Sequence, residues 1–162
     1  ASTIITKISE SKAILGLSKT LWHGRIEEIK SGNIIKYRNN ITILDGAHNI
    51  DGAIVIRKYF QTQSIPKWNL IIGMLNNRDI KQFVSKFKNY IKVAYTIPIK
   101  NQKSSSNPKK LALELNDLGL KSYPTLSLKH ALNKTDKDTP LLITGSLYLA
   151  GEVLEFNKTI IK

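Results

Sequence analysis

At 162 residues the chain has the length of one ordinary domain plus a short appendage, enough to bury a core without staples. It has no Cys, which excludes a disulfide framework or a zinc cluster and fits a reducing, cytoplasmic setting; no apolar run approaches the roughly 18 residues of a membrane span, and Ala1 to Ile5 does not open like a signal peptide. The formal net charge of +13 invites a nucleic-acid reading, but only four of the 25 basic residues are Arg (Arg25, Arg38, Arg57, Arg78) and the Lys residues are spread along the chain, so the expectation is a solvated basic surface that steers small anions, with no nucleic acid and no membrane as partner.

In chain order, Lys7 to Leu15 reads as a helix followed by a Gly-containing stretch without a strand partner. Residues 1–20 are therefore expected to be a linker helix from an upstream domain, and 21–162 the domain proper. Asn33 to Tyr37 and Ile41 to Leu44 are short β-branched runs joined by Arg38-Asn39-Asn40, which predicts a hairpin and an antiparallel edge strand. A helix follows over about Asp51 to Gln61, with Ala53, Ile56, Tyr59 and Phe60 on its apolar face. Trp68 to Met74 is a continuous apolar strand of the kind buried on both faces, and Asp79 to Asn89 predicts the next helix.

Lys92 to Ile97 is a further parallel-type strand. Gln102 to Pro108 reads as a mobile polar loop whose Asn107 caps a helix starting at Pro108 and ending at Gly119. A brief strand near Lys121 to Tyr123, a short helix over Ser127 to Asn133, a buried strand Leu141 to Thr144 and a closing helix to about Phe156 complete the pattern. Strands separated by helices imply right-handed βαβ units: an α/β fold with a mostly parallel sheet of about six strands, one antiparallel edge strand, and helices on both faces.

In such a sheet ligands bind beyond the carboxyl ends of the strands. Two segments there have suitable chemistry. In Leu44-Asp45-Gly46-Ala47-His48-Asn49, Asp45 ends a strand where a carboxylate can accept from a sugar diol, and His48 begins a helix whose free N–H groups favour an anion. Spacing alone serves equally well for Asp45 and Asn49 as plain helix caps. In Thr144-Gly145-Ser146-Leu147-Tyr148 a hydroxyl at the turn can hold an anion, although capping is the simpler reading. His23 and His130 stand without partners at ligand spacing, and no metal site is expected. No GxxxxGK[ST] phosphate loop occurs.

Four segments in order resemble one family, the folylpolyglutamate and dihydrofolate synthases of the Mur ligase superfamily. Trp22-His23-Gly24-Arg25-Ile26-Glu27 resembles their "W-P-G-R-x-E", Leu44 to Asn49 their "L-D-G-A-H-N-P", Gly73-Met74-Leu75-Asn76-Asn77-Arg78-Asp79 their "G-M-L-x-x-K-D", and Thr144 to Val153 their last strand and helix. The resemblance covers essentially the whole chain as their carboxy-terminal domain. Muramyl ligases usually carry Tyr or Ser where this chain has Gly46, so the folate branch fits better.

The resemblance implies a Rossmann-like three-layer sandwich and an ATP-dependent carboxylate–amine ligase that adds L-glutamate to dihydropteroate or folate through an acyl phosphate. It further implies an upstream P-loop ATPase domain that mainly holds Mg2+, so that this chain alone is inactive, and a monomeric enzyme. Carried over, Arg25 would sit near the ATP phosphates and Asp45 at the ribose, His48 would be the catalytic residue near glutamate and the transferred phosphate, and Ser146 and Tyr148 would hold glutamate. Ile50 and His23 stand where the family usually has Pro, Arg78 where it has Lys, and the Arg25–Asp45 stretch is longer than usual. These departures leave open a second reading, an inactive or free-standing nucleotide- or anion-binding module from a split or degraded ligase gene.

Overall fold

The computed structural model describes residues 24–158; the expected linker helix and the Trp22-His23 pair lie outside the described residues. Six strands form one sheet: β1 (Glu27–Glu28), β2 (Thr42–Leu44), β3 (Trp68–Ile72), β4 (Ile91–Thr96), β5 (Ser122–Pro124) and β6 (Leu141–Thr144). Their order is β1-β2-β6-β3-β4-β5, with β1 antiparallel to β2 and every other pair parallel. Five helices connect them: α1 (Ile50–Thr62), α2 (Ile80–Ser85), α3 (Pro108–Asp117), α4 (Leu128–Lys134) and α5 (Leu147–Asn157).

Alternation along the strands divides the core in two. Ile43, Leu70, Ile72 and Leu142 point to one face, where Ala53, Ile56 and Phe60 of α1, Phe83 of α2 and Leu111 and Leu115 of α3 cover them. Leu44, Ile71, Leu141 and Ile143 point to the other, beneath Ala131 and Leu132 of α4 and Leu149 and Val153 of α5. An aromatic group anchors the first layer: Phe60 lies 5.0 Å from Trp68 between ring centroids, and Phe83 meets Phe87 edge-on at 5.3 Å. Each such fully buried side chain contributes roughly 1.5–3 kcal/mol.

The chain runs from β2 through α1 to β3 and outward to β5, then returns through α4 to place β6 between β2 and β3. Helices therefore leave the carboxyl ends of β2 and β3 toward one face and that of β6 toward the other. This reversal opens a crevice around the end of β6, the place where α/β sheets bind ligands.

Two local expectations are corrected. Asn33 to Tyr37 is no strand: Ile34–Tyr37 is a 3-10 turn, and the antiparallel edge is Glu27–Glu28. The cause lies at the far end of the chain. Asn157, closing α5, accepts from Ile34 N–H at 2.9 Å and donates to Ser31 O at 2.9 Å, replacing the ladder partners that a strand would need. The Gln102–Pro108 loop is also no free loop. Ser104 O accepts from Asn76 N–H, and Ser106 N–H donates to Met74 O, each at 2.8 Å, tying it to the segment after β3. The second helix is shorter than expected, with a 3-10 turn at Lys88–Tyr90 before β4.

Candidate functional site

The first turn of the crevice follows β2. Asp45 N–H continues the ladder to Ile143 O at 2.9 Å, which carries the side chain inward, to 6 % exposure. Its Oδ2 accepts from Ile26 N–H and its Oδ1 from Ala47 N–H, both at 2.8 Å. Burial pushes the Asp45 carboxyl above its ordinary range, while these two N–H groups and nearby Arg25 pull the other way. Asp45 thus caps no helix. Asn49 does, accepting from Gly52 N–H at 3.0 Å. That cap starts α1 at Ile50, the position where the related motif has Pro, so the helix start survives the substitution.

Gly46 N–H donates to Gly24 O at 2.6 Å and binds the two turns together. Arg25 projects from that joined turn, where Ile26 holds a φ of +46°. A β-branched residue in this left-handed region costs of order 1–2 kcal/mol, so the surrounding bonds must impose the conformation.

His48 Nδ1 lies 3.1 Å from Gly46 O. A carbonyl only accepts, so in the neutral ring Nδ1 carries the hydrogen and Nε2 keeps a lone pair for proton exchange.

The second turn follows β6. Gly145 has φ +115°, and a Cβ there would stand 2.6 Å from Gly73 O, so only glycine fits. Gly145 N–H and Thr144 Oγ1 both donate to Ala47 O, at 3.1 and 3.3 Å, which fastens this turn to the first. Ser146 is buried and accepts from Tyr148 N–H at 3.1 Å, so it caps α5; its own hydroxyl hydrogen remains available to a ligand. Leu147 and Tyr148 are both more than half exposed beside it.

The third turn follows β3. Arg78 N–H donates to Leu75 O at 3.1 Å, Asp79 caps α2 through Gln82 N–H at 2.9 Å, and the 104–106 strap holds the segment in place.

Three hollows lie among these turns. One of about 330 Å³ lies between Arg25, Asp45, His48, Gly52, Val55 and Leu147. A second, about 220 Å³, lies between His48, Arg78, Ser146, Leu147 and Tyr148. A third, about 450 Å³, spreads from His48 over Asn49 and Asp51 to Arg78 and Gln82. His48 borders all three, and Leu147 borders the first and the second.

The structure brings Arg25, Asp45 and His48 around one hollow and His48, Ser146 and Tyr148 around the next, and places His130 elsewhere, beside Tyr95 and Tyr123. The sequence reading assigned no role to Arg78 or Leu147. The signal for Arg78 was present, as an arginine in the loop after a central strand. Leu147 gave none, since a leucine at the first position of a helix reads as core. Among the described residues no group of three or more His, Asp or Glu stands together as a metal site, and no helix is long and apolar enough to cross a membrane.

A family model described as the C-terminal domain of dihydrofolate synthetase matches residues 28–156. The chain is 30% identical over 141 residues to folylpolyglutamate synthase of Lacticaseibacillus casei, across 85% of this chain and 30% of that one. Mycobacterium tuberculosis folylpolyglutamate synthase complexed with ADP and AMPPCP superimposes with a TM-score of 0.79 at 16% identity, over 96% of this chain and 37% of that one. E. coli FolC in complex with DHPP and ADP does so with a TM-score of 0.74 at 19% identity, over 93% and 34%. At these identities the two structures speak for the fold alone, and the chain spans about a third of the length of each relative. With most of its length matched by the family model and the motif-bearing turns gathered at one crevice, the chain belongs to the family of dihydrofolate synthetase C-terminal domains, a family of ligases.

Proposed function

We propose that this chain forms the ATP- and glutamate-side part of an enzyme that joins L-glutamate to the carboxylate of dihydropteroate or of a folate. The observation that carries this reading is the place of His48, between a hollow flanked by Arg25 and Asp45 and a smaller one flanked by Arg78, Ser146 and Tyr148. The first suits the nucleotide, with Arg25 toward its phosphates and Asp45 on the ribose side. The second, about 220 Å³, has the scale of an amino acid. There Arg78 can pair with a carboxylate of glutamate, the Ser146 hydroxyl can donate to one, and Tyr148 can close the side.

The reaction has two steps. The pteroate carboxylate attacks the γ-phosphorus of ATP, forming an acyl phosphate and releasing ADP. The glutamate amine then attacks the acyl carbon; the C–N bond forms, the C–O bond to phosphate breaks, and inorganic phosphate leaves. Glutamate must shed a proton from its ammonium group to attack, and the His48 Nε2 lone pair would take it. Arg25 and Arg78 offset negative charge on the transferred phosphate and on glutamate. Mg2+ would be held by the rest of the enzyme, together with the pterin site and the P-loop that this sequence lacks. The net charge of +13 favours the approach of all these anions.

The test is ATP-dependent transfer of glutamate to dihydropteroate and to folate by the complete natural polypeptide that carries this chain. Turnover supports the reading, and its absence with both acceptors ends it. The competing reading, a free-standing nucleotide- or anion-binding module, predicts instead that the 162-residue chain alone binds ATP measurably in a calorimeter.

A further inference from the structure

Arg25 and His48 belong to two different turns yet border the same hollow. One buried side chain touches the backbone of both turns. Asp45 accepts from Ile26 N–H through Oδ2 and from Ala47 N–H through Oδ1, each at 2.8 Å. The Ile26 end is under strain, with φ at +46° in a β-branched residue. Around it, Gly24 N–H donates to Glu27 Oε2 at 2.7 Å and Gly24 O accepts from Gly46 N–H at 2.6 Å. The Ala47 end fixes the turn whose Gly46 carbonyl orients the His48 ring. Two N–H donors converge on one group, and only a carboxylate offers an acceptor to each; an amide in its place would point its own N–H at one of them.

We propose that Asp45 is a positioning residue: its carboxylate clasps the backbone of Ile26 and of Ala47, and so sets Arg25 and His48 at fixed places across one hollow. Released from that clasp, Ile26 returns to negative φ and Arg25 turns away from the ligand. This goes beyond a ribose contact, because Asp45 then acts through Arg25 and His48 whatever else it touches. It rests on the reading above only in what the hollow binds.

A suppressor experiment tests it in the complete natural polypeptide. Asp45→Asn is expected to weaken ADP binding about ten-fold or more, the scale of one buried hydrogen bond lost and a second turned repulsive. Ile26→Gly removes the steric objection to positive φ and alone is expected to leave ADP affinity within about three-fold. Combined with Asp45→Asn, it is expected to recover most of the lost affinity. Full additivity of the two changes overturns the proposal, since a residue acting only by touching the ribose gains nothing from a more permissive turn.

Should Asp45→Asn fail to fold, amide exchange in the unaltered protein decides. Ile26 N–H is expected to exchange far more slowly than a free amide, and exchange at the free rate overturns the clasp. A protein that shows the suppression and the protected amide but transfers no glutamate refutes the proposed function and leaves the role of Asp45 standing.

Discussion

Two ends of the same sheet use arginine and aspartate in opposite ways. At the amino ends of the strands Arg38 is buried and spent on the protein itself. It donates to Thr135 Oγ1 and Asp136 O at 2.9 Å and to Thr139 O, pinning the loop between α4 and β6. Burial lowers its pKa, and Asp136 and Asp138 hold it up. At the carboxyl ends Arg25 and Arg78 are exposed and border hollows. Asp136 lies open to solvent and its pKa is lowered, whereas Asp45 is buried and its pKa is raised. The buried arginine is a structural tie, whereas the exposed ones line hollows that His48 also borders.

The contrast predicts which changes harm activity and which harm the fold. His48→Ala is expected to lower the ligation rate of the complete enzyme by about 10²–10⁴, the usual worth of a general base, while the melting transition moves by no more than about 0.5 kcal/mol. A variant ligating glutamate at the normal rate removes His48 from the chemistry. Arg38→Ala is expected to do the reverse. One buried and two part-buried acceptors lose a charged donor, so stability to urea is expected to fall by about 3 kcal/mol while ADP affinity in the folded fraction stays unchanged. A weaker ADP affinity at full stability would erase the division between the two ends.

Much of this division is written locally. The buried strands Trp68–Ile72 and Leu141–Thr144 announce themselves as continuous apolar runs, and Asn49, Asn107 and Ser127 mark helix starts that the structure bears out. The site residues are legible because their motifs sit where strands give way to helices. What could not be read is whatever depends on a distant partner. Ile34 and Ile35 have strand propensity, and nothing nearby warns that Asn157 takes the Ile34 amide. Asp45 was read as a helix cap or a ribose acceptor because its donor Ile26 is far away in the chain. Leu147 shows its face only once the turns are brought together. Asn157→Ala follows from this argument: leaving the buried Ile34 N–H without an acceptor is expected to cost about 1–3 kcal/mol, read from denaturant midpoints. A neutral result would mean that the packing of Ile34 and the Asn33 bonds to Phe156 O and Asn157 O hold the 3-10 turn without the Asn157 side chain.

The smallest effect expected is one of pH, and it separates the two aspartates by sign. Asp136 accepts from Thr139 Oγ1 at 2.6 Å, from Asp138 N–H at 3.1 Å and from Lys92 Nζ at 3.2 Å, which lowers its pKa to about 2. A carboxyl depressed in the folded state stabilises the fold fully above its unfolded pKa near 4, and that stabilisation is lost as pH falls toward about 2. Asp45 is shifted the other way, so its contribution is present below the unfolded pKa and is lost as pH rises through the folded one. The two therefore act in different windows, Asp45 above about pH 4 and Asp136 between about pH 4 and pH 2. Asp136→Asn removes only the first: below pH 4 the variant is expected to lose stability with acid less steeply than the parent protein, while at pH 7 it starts lower. The fully exposed position keeps this difference small, and salt should shrink only the share that comes from Lys92. Parallel acid limbs for the two proteins would show that the Asp136 side-chain hydrogen bonds do not persist in solution, and would leave that loop to Arg38 and to the bonds from Asn39, Asn40 and Asn69.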